Sequence, residues 1–398
     1  MRLFFTNLFS DIRGLPKPVY ILVIGQFVNR FGAFVFPFLT LFLEDRDYSL
    51  GKIGGVLAAI SLGNFFGPMA GGYLADAIGR RNTIIVSLVS SAISLLSLYF
   101  CENYILLIVM STVYGFANFI FGPPTSALIT DLVPADKRIT AFAMLRLAIN
   151  AGFAAGPMVA GLLFLYSPIL IFMGDAATTM AFAALAYFSL PHGLRTIKGR
   201  VSSPKIILRS WLDAFFNAIR NKLYAQFLLA CLLMGIAFNQ IFTLLALTTK
   251  RFEISPSVYG VIMGFNGVLI ILIEVPFTHW LKQFAHRKIL ALGYALIGLG
   301  CVAFGLSKTQ LDFFFSMGLL TLGEIIALPI GMAYSSNLAP EAMRGRYFGL
   351  RGMTWALSGL IGSIGVWCYG IMGSNWWYLS GLIGIAGAVY ILIDKEKT

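Results

Sequence analysis

Apolar residues run along this chain in long blocks separated by short polar turns. The block from Tyr20 to Leu43 contains one charge, Arg30. At about 1.5 Å per residue, a run of about 20 apolar residues spans the hydrocarbon of a bilayer. Backbone polar groups in lipid must bond within the structure, so such runs are helices unless they close a barrel. A barrel needs alternating segments of about 10 residues. These blocks are longer, do not alternate and are rich in Gly. The pattern predicts an all-α membrane protein with transmembrane helices at 19–43, 53–75, 82–100, 104–130, 139–165, 168–190, 223–248, 257–281, 287–306, 311–337, 346–371 and 375–393, twelve in all. The first block is too long for a signal-peptide core, and no small-residue cleavage site follows it.

Composition agrees: 58% of the 398 residues are hydrophobic and 12% charged, too few charges to cover a water-facing surface. The net charge of +12 would suit nucleic acid, but its distribution points to the membrane. With a cytoplasmic N-terminus, 21 of the 29 Lys and Arg fall on cytoplasmic segments, among them Arg2, Arg80, Arg81, Arg138, seven between Arg195 and Lys222, Arg287 and Lys397. Five lie outside (Arg46, Lys52, Lys250, Arg251 and Lys308), and Arg30, Arg146 and Arg351 lie within helices. This positive-inside bias places both termini in the cytoplasm. It predicts a multi-pass protein of a cell's inner (plasma) membrane, with lipids as partners and no nucleic acid. Cys101, Cys231, Cys301 and Cys368 stand singly, without metal or redox spacing. His192, His279 and His286 form no metal cluster, and no phosphate-binding loop or nucleophile elbow occurs. An enzyme, a metal site and a cofactor are therefore not expected.

The second half repeats the first at an offset of 206 residues: Leu132-Val133-Pro134 and Arg138 fall on Leu338-Ala339-Pro340 and Arg344, Gly54 on Gly260, Ser49 on Ser255, Gly156 on Gly362. Parallel six-helix repeats with a solute site between them are one plan of secondary transporters. The repeat predicts bundles at 1–190 and 223–398. The basic segment 191–222 joins them, and Ile207, Trp211, Leu212, Phe215 and Ile219 recur there at helical spacing. That spacing predicts a helix lying on the cytoplasmic surface.

The loop after the second span reads Gly71-Gly72-Tyr73-Leu74-Ala75-Asp76-Ala77-Ile78-Gly79-Arg80-Arg81. Gly72 would permit close helix contact and Gly79 a tight turn. Asp76 would be favoured at a neighbouring helix N-terminus. Arg80 and Arg81 would anchor to headgroups or pair with Asp131. This loop closely resembles the signature of the major facilitator superfamily. The resemblance covers the whole chain and implies the major facilitator fold, with two pseudo-symmetric six-helix bundles giving alternating access and Asp76, Gly79, Arg80 and Arg81 acting in gating. In the fifth span, Gly152 and Gly156-Pro157 resemble a motif of that superfamily's drug:proton antiporters. Small residues four apart let helices approach closely, and Pro157 would bend its helix. Phe121-Gly122-Pro123-Pro124 in the fourth span and the stretch from Leu338 to Gly349 also look like that branch. The fourth span departs from it in carrying no Arg between Asn103 and Asp131. A second resemblance is Gln26-Phe27-Val28-Asn29-Arg30-Phe31-Gly32, which looks like an amide version of a motif of proton-coupled oligopeptide transporters. Gly323-Glu324 points the same way.

An ionisable group inside a membrane helix is costly and marks function or a structural pair. Arg30 and Glu324 fall about half-way along the first and tenth spans, and both spans line the central cavity in the family resembled. They are expected to contact solute or carry the proton, alone or as a pair, with Glu274, Asp175, Asn29 and Gln26 as further candidates. Arg146 and Glu274 are expected to form a salt bridge between bundles, and Arg351 to partner Asp76 or Asp131. Asp175 is placed near the outer end of the sixth span, as a cap or at the interface. Phe31, Phe36, Phe238 and Phe242 would line an aromatic pocket. Together these features predict a monomeric secondary transporter that exports a small lipophilic solute against protons. The alternative is a proton-coupled importer of a peptide-like or other small polar solute.

Overall fold

The computed structural model describes residues 14–134, 137–192, 212–213, 215–281, 284–340 and 344–393. The basic stretch from 193 to 211, with Ile207 and Trp211, lies outside the described residues, as does the side chain of Asp76. Among the described residues, eleven helical stretches are long and apolar enough to cross a membrane. The twelfth expected span corresponds to Asn375–Tyr390, a helix of 16 residues.

Two spans are broken by proline. The first is formed by α1 (Lys17–Phe31) and α2 (Val35–Glu44). Pro37 lacks an N–H, and its ring would collide with the carbonyl four residues earlier, that of Ala33. Continuous helix therefore fails across Gly32–Phe34. The chain turns there with Phe34 N–H donating to the Gly32 carbonyl at 2.6 Å. After α3 (Leu50–Ala77) and α4 (Arg80–Phe100), the fourth span divides likewise into α5 (Tyr104–Ile120) and α6 (Gly122–Leu132), with prolines in the first turn of α6. The series continues with α7 (Arg138–Tyr166), α8 (Pro168–Ser189), α9 (Lys222–Thr243), α10 (Leu245–Arg251), α11 (Pro256–Leu281), α12 (His286–Leu306), α13 (Gln310–Leu338), α14 (Arg344–Met372) and α15 (Asn375–Tyr390). Side chains start several of them. Asn103 accepts from the N–H groups of Ile105 and Leu106, and Thr309 with Asp312 forms a capping box on α13.

The described residues fall into two compact units, one drawn from Met1–Phe38 and Ala59–Arg200, the other from Leu39–Ala58 and Val201–Thr398. In the first, α4 packs on α5 and α8, and α1 on α7 and α8. In the second, α12 packs on α13 and α15, and α9 on α14 and α15. These are the same pairings, displaced by one repeat. Details repeat as well. Arg81, at the start of α4, donates to the Leu190 carbonyl just past α8 at 3.4 Å. Arg287, 206 residues later, donates to the Ile391 carbonyl just past α15 at 2.9 Å.

The turns after α2 and α10 match atom for atom. Tyr48 N–H bonds the Leu43 carbonyl and Ile254 N–H the Thr249 carbonyl, at 3.2 and 3.0 Å. In both, the residue in the left-handed region is an acid, Asp47 (φ 59°) in one and Glu253 (φ 58°) in the other.

The core is apolar, and buried indole and amide groups within it pair with one another or with hydroxyls. The indole of Trp377 is fully buried and donates to Thr248, and that of Trp376 donates to Gln240. The outside is apolar as well: Ile105, Leu311 and Phe315 are 74%, 79% and 71% exposed, the pattern of a surface solvated by lipid tails. Helix crossings rely on glycine. A Cβ on Gly298 would stand 2.6 Å from the Gly381 carbonyl oxygen, and one on Gly381 would stand 2.5 Å from that of Gly298.

A left-handed conformation costs a residue with a Cβ roughly 1–2 kcal/mol, part of which glycine returns as unfolded-state entropy. Glu253→Gly is expected to stabilise the protein by about 0.5–1 kcal/mol and raise the detergent unfolding temperature. Glu253→Val should lower it.

Candidate functional site

The break in the first span leaves backbone N–H groups at the start of α2 without helical partners. Asp175, the eighth residue of α8, supplies the acceptor. Its Oδ2 takes the Val35 N–H at 3.2 Å, and it also accepts from the Phe34 N–H and the Thr179 hydroxyl. Thr179 in turn accepts from the Asn29 amide at 2.9 Å. Asp175 is 5% exposed. Far from reaching an interface at the end of its own helix, it caps a different one from within the core. Two further groups interact with it electrostatically, the guanidinium of Arg30 and the hydroxyl of Tyr114. Arg30 also lies over the ring of Phe153, 5.9 Å from its centroid. The buried Gln26 carbonyl oxygen has no hydrogen-bond donor among the described residues.

Two glycine contacts hold this cluster. Gly32 lies against Thr178 so closely that any side chain would overlap its hydroxyl. On the other side, a Cβ on Gly152 would stand 2.6 Å from the Phe31 nitrogen, and one on Gly156 2.5 Å from the Phe31 carbonyl oxygen. The glycines of the fifth span thus seat α7 directly on α1 at Arg30-Phe31. Pro157 lies inside α7.

Gly79 turns the loop after α3 with φ 93°. Arg80 pairs with Asp131 at 3.2 Å and donates to the Ala75 carbonyl, while Arg81 meets the end of α8 and His192. The expected contact at Gly72 is corrected by one residue. A Cβ there would meet nothing within 4 Å, whereas Gly71 abuts the Ile120 carbonyl. The side chain turned toward α5 is set by helical phase, which the glycine pair alone did not fix.

In the second unit, Glu324 of α13 accepts from the Asn266 amide of α11 at 2.8 Å, and that amide also bonds Thr321. Arg351 belongs to this unit and lies beside Gly331, its charge acting on Cys231 and Tyr224. Asp76 and Asp131, its expected partners, belong to the first unit. Arg30 and Arg146 likewise belong to the first unit, Glu324 and Glu274 to the second. Of the aromatic candidates, Phe31 meets Phe27 and Phe34, and Phe238 meets Phe242 and Trp355. Lys250, in the last turn of α10, bridges Glu44 at 3.0 Å and Asp45 at 2.6 Å. Burial pulls its pKa down, but the hydrogen bonds it donates to the two carboxylates, with their charges, outweigh this and hold it above the usual lysine value.

Sequence reading passed over Tyr114, Thr179 and Thr321. The available signal for Thr179 was its spacing: a residue four after Asp175 shares its helix face. Pro37 marked the break that Asp175 caps.

A family model described as Major Facilitator Superfamily matches residues 22–363 and 241–398. A Na(+), Li(+), K(+)/H(+) antiporter of Planococcus maritimus is 21% identical over 418 residues, covering 97% of this chain and 98% of the relative. The multidrug resistance protein MdtH of Citrobacter koseri is 25% identical over 388 residues, covering 94% and 93%. Among solved structures, a POT family transporter in complex with 5-aminolevulinic acid superposes with a TM-score of 0.75 at 15% identity, covering 96% of this chain and 98% of that one.

Overpacking a filled contact costs roughly 1–3 kcal/mol. Gly156→Val is expected to force α7 off α1, lowering stability by about 2 kcal/mol in detergent unfolding. Met158→Val, two residues along, should change it by less than about 1 kcal/mol.

Proposed function

Because the chain belongs to the major facilitator superfamily, we propose that this multi-pass membrane transporter exports small lipophilic solutes in exchange for protons. It acts as a monomer in a cell's inner (plasma) membrane by alternating access. Bundles 1–190 and 223–398, six spans each, rock about a central site with both termini cytoplasmic, and 191–222 links them. Leu212, Phe215, Phe216 and Ile219 of the linker are exposed apolar side chains, suited to rest in the headgroup layer.

The observation that carries this reading is a carboxylate half-way along a membrane span, Glu324, held by the neutral Asn266 amide. Proton uptake by that carboxylate would change the site's net charge. Proton and solute would then compete for one position, with Arg30, Asn29 and Gln26 facing the first half of the pathway. The seating of Gly152 and Gly156 on α1 supports the antiporter likeness. The relatives named as a multidrug resistance protein and a cation/H(+) antiporter agree with an exchange mechanism. Asp76, Gly79, Arg80, Arg81 and Asp131 form the gating turn in this scheme. A second reading, proton-coupled import of a peptide-like solute, is favoured by the stretch Asn29-Arg30-Phe31.

Two measurements decide. In everted vesicles with a pH-sensitive dye, ethidium is expected to dissipate a preformed proton gradient through the wild type and not through Glu324→Gln. A response to dipeptides alone would replace export by import. Separately, Arg146 and Glu274 are proposed to pair across the bundles in one access state. Arg146→Glu and Glu274→Arg should each cut ethidium efflux at least tenfold, about 1.4 kcal/mol, and the double exchange should restore most of it. Failure of the double variant to recover would remove the pair.

A further inference from the structure

The cap on the broken first span has properties that a purely structural cap would not need. Pro37 dictates the break, and lipid supplies no partner for the N–H groups it frees. A serine, threonine or asparagine suffices for such a cap in most helices. Here the acceptor is a buried carboxylate, which takes the Val35 and Phe34 N–H groups, the Thr179 hydroxyl and the field of Arg30. An ionised acceptor at a helix N-terminus is favoured by the aligned peptide dipoles and by charge-assisted bonds. That advantage vanishes when the acceptor takes a proton.

The position of the capped helix gives this chemistry a mechanical reach. Helix α2 begins in the first unit and, from Leu39 onward, belongs to the second. The three residues before it, Gly32–Phe34, are held against α8 by the Gly32–Thr178 contact and by Asp175. One carboxylate on α8 therefore fixes the root of the helix that completes the first span.

We propose that Asp175 is a proton switch for the first span: as a carboxylate it clamps the root of α2 to α8, and as a carboxylic acid it frees it. This deepens, and rests on, the reading of the chain as a proton-coupled exporter. The step is a single proton uptake, in which one Asp175 oxygen gains O–H and no other bond changes order. Among the described residues, the charged or titratable groups facing the carboxylate are Arg30 from α1 and Tyr114 from α5. Loss of the carboxylate charge leaves Arg30 without its acidic neighbour, so the guanidinium becomes available to an anion or to water in the protonated state. Asn29 and Thr179 are positioning residues, since Asn29 fixes the Thr179 hydroxyl that in turn bonds the switch.

The test is hydrogen–deuterium exchange of the full-length protein in lipid nanodiscs over a series of pH values, corrected for the intrinsic pH dependence of exchange and read in peptides covering residues 32–38. In the wild type, exchange there should rise roughly fivefold as pH falls, the change expected when a helix cap is lost. Asp175→Asn, whose side chain does not titrate, should show no step with pH. Asp175→Glu should keep the step with a moved midpoint, and Glu324→Gln should keep the wild-type step. A flat wild-type profile, or a step that survives in Asp175→Asn, would overturn the proposal. Since this arm uses no solute, it stands apart from the export reading. In the vesicle arm, Asp175→Asn should lose gradient-driven ethidium export while keeping ethidium–ethidium exchange. If the wild type moves no ethidium, the export reading fails and the exchange profile still decides the switch. If Asp175→Asn does not fold, the wild-type and Asp175→Glu profiles decide it.

Discussion

A helix broken inside a membrane leaves N–H and C=O groups that lipid does not bond, and each such break obliges some other part of the chain to supply partners. In this protein that obligation organises the first unit. Pro37 breaks the first span, Asp175 answers the break, Thr179 and Asn29 orient Asp175, and Arg30 sets its charge environment. Glycines on both sides let α7 and α8 come near enough to do so. A residue that looks like an isolated membrane charge is the anchor of a network whose cause is a proline eight positions beyond Asn29.

The second unit meets the same demands differently. Its matching helices are joined through amide and indole side chains: Gln240 with Trp376, Asn266 with Glu324, Gln226 with Arg287. The repeat thus preserves helix pairing and turn geometry while the polar contents of the two cores diverge.

Much of this was legible in the chain itself. Long apolar runs gave the spans because lipid permits few alternatives. The offset of 206 residues anticipated the shared pairings because Arg81 and Arg287, Ser49 and Ser255, occupy the same local environments. Asp131 was readable as a partner for the arginine turn because both lie where spans end. What the chain concealed were phases and partners. Gly71 and Gly72 are adjacent, and which one meets α5 depends on a rotation of about 100° per residue. Asp175 was readable as a charge within a span, but its burial and its role were not, because a cap on another helix is a tertiary relation between residues 140 apart. Tyr114, an aromatic in an apolar helix, carried no local mark of facing a carboxylate.

The glycine crossings have a thermal consequence. A glycine surrenders no side-chain rotamers on docking, whereas a leucine or methionine surrenders up to about 1–2 kcal/mol of rotamer entropy at room temperature, a cost that grows on heating. At Gly298 and Gly381, and again at Gly152 and Gly156, the helices meet backbone to backbone and this cost is nearly absent. Warming therefore weakens these seams less than it weakens contacts made by long side chains. The helix pairs should persist as stiff struts while the phenylalanines and leucines between them and the lipid grow fluid, so that the protein softens from its rim inward.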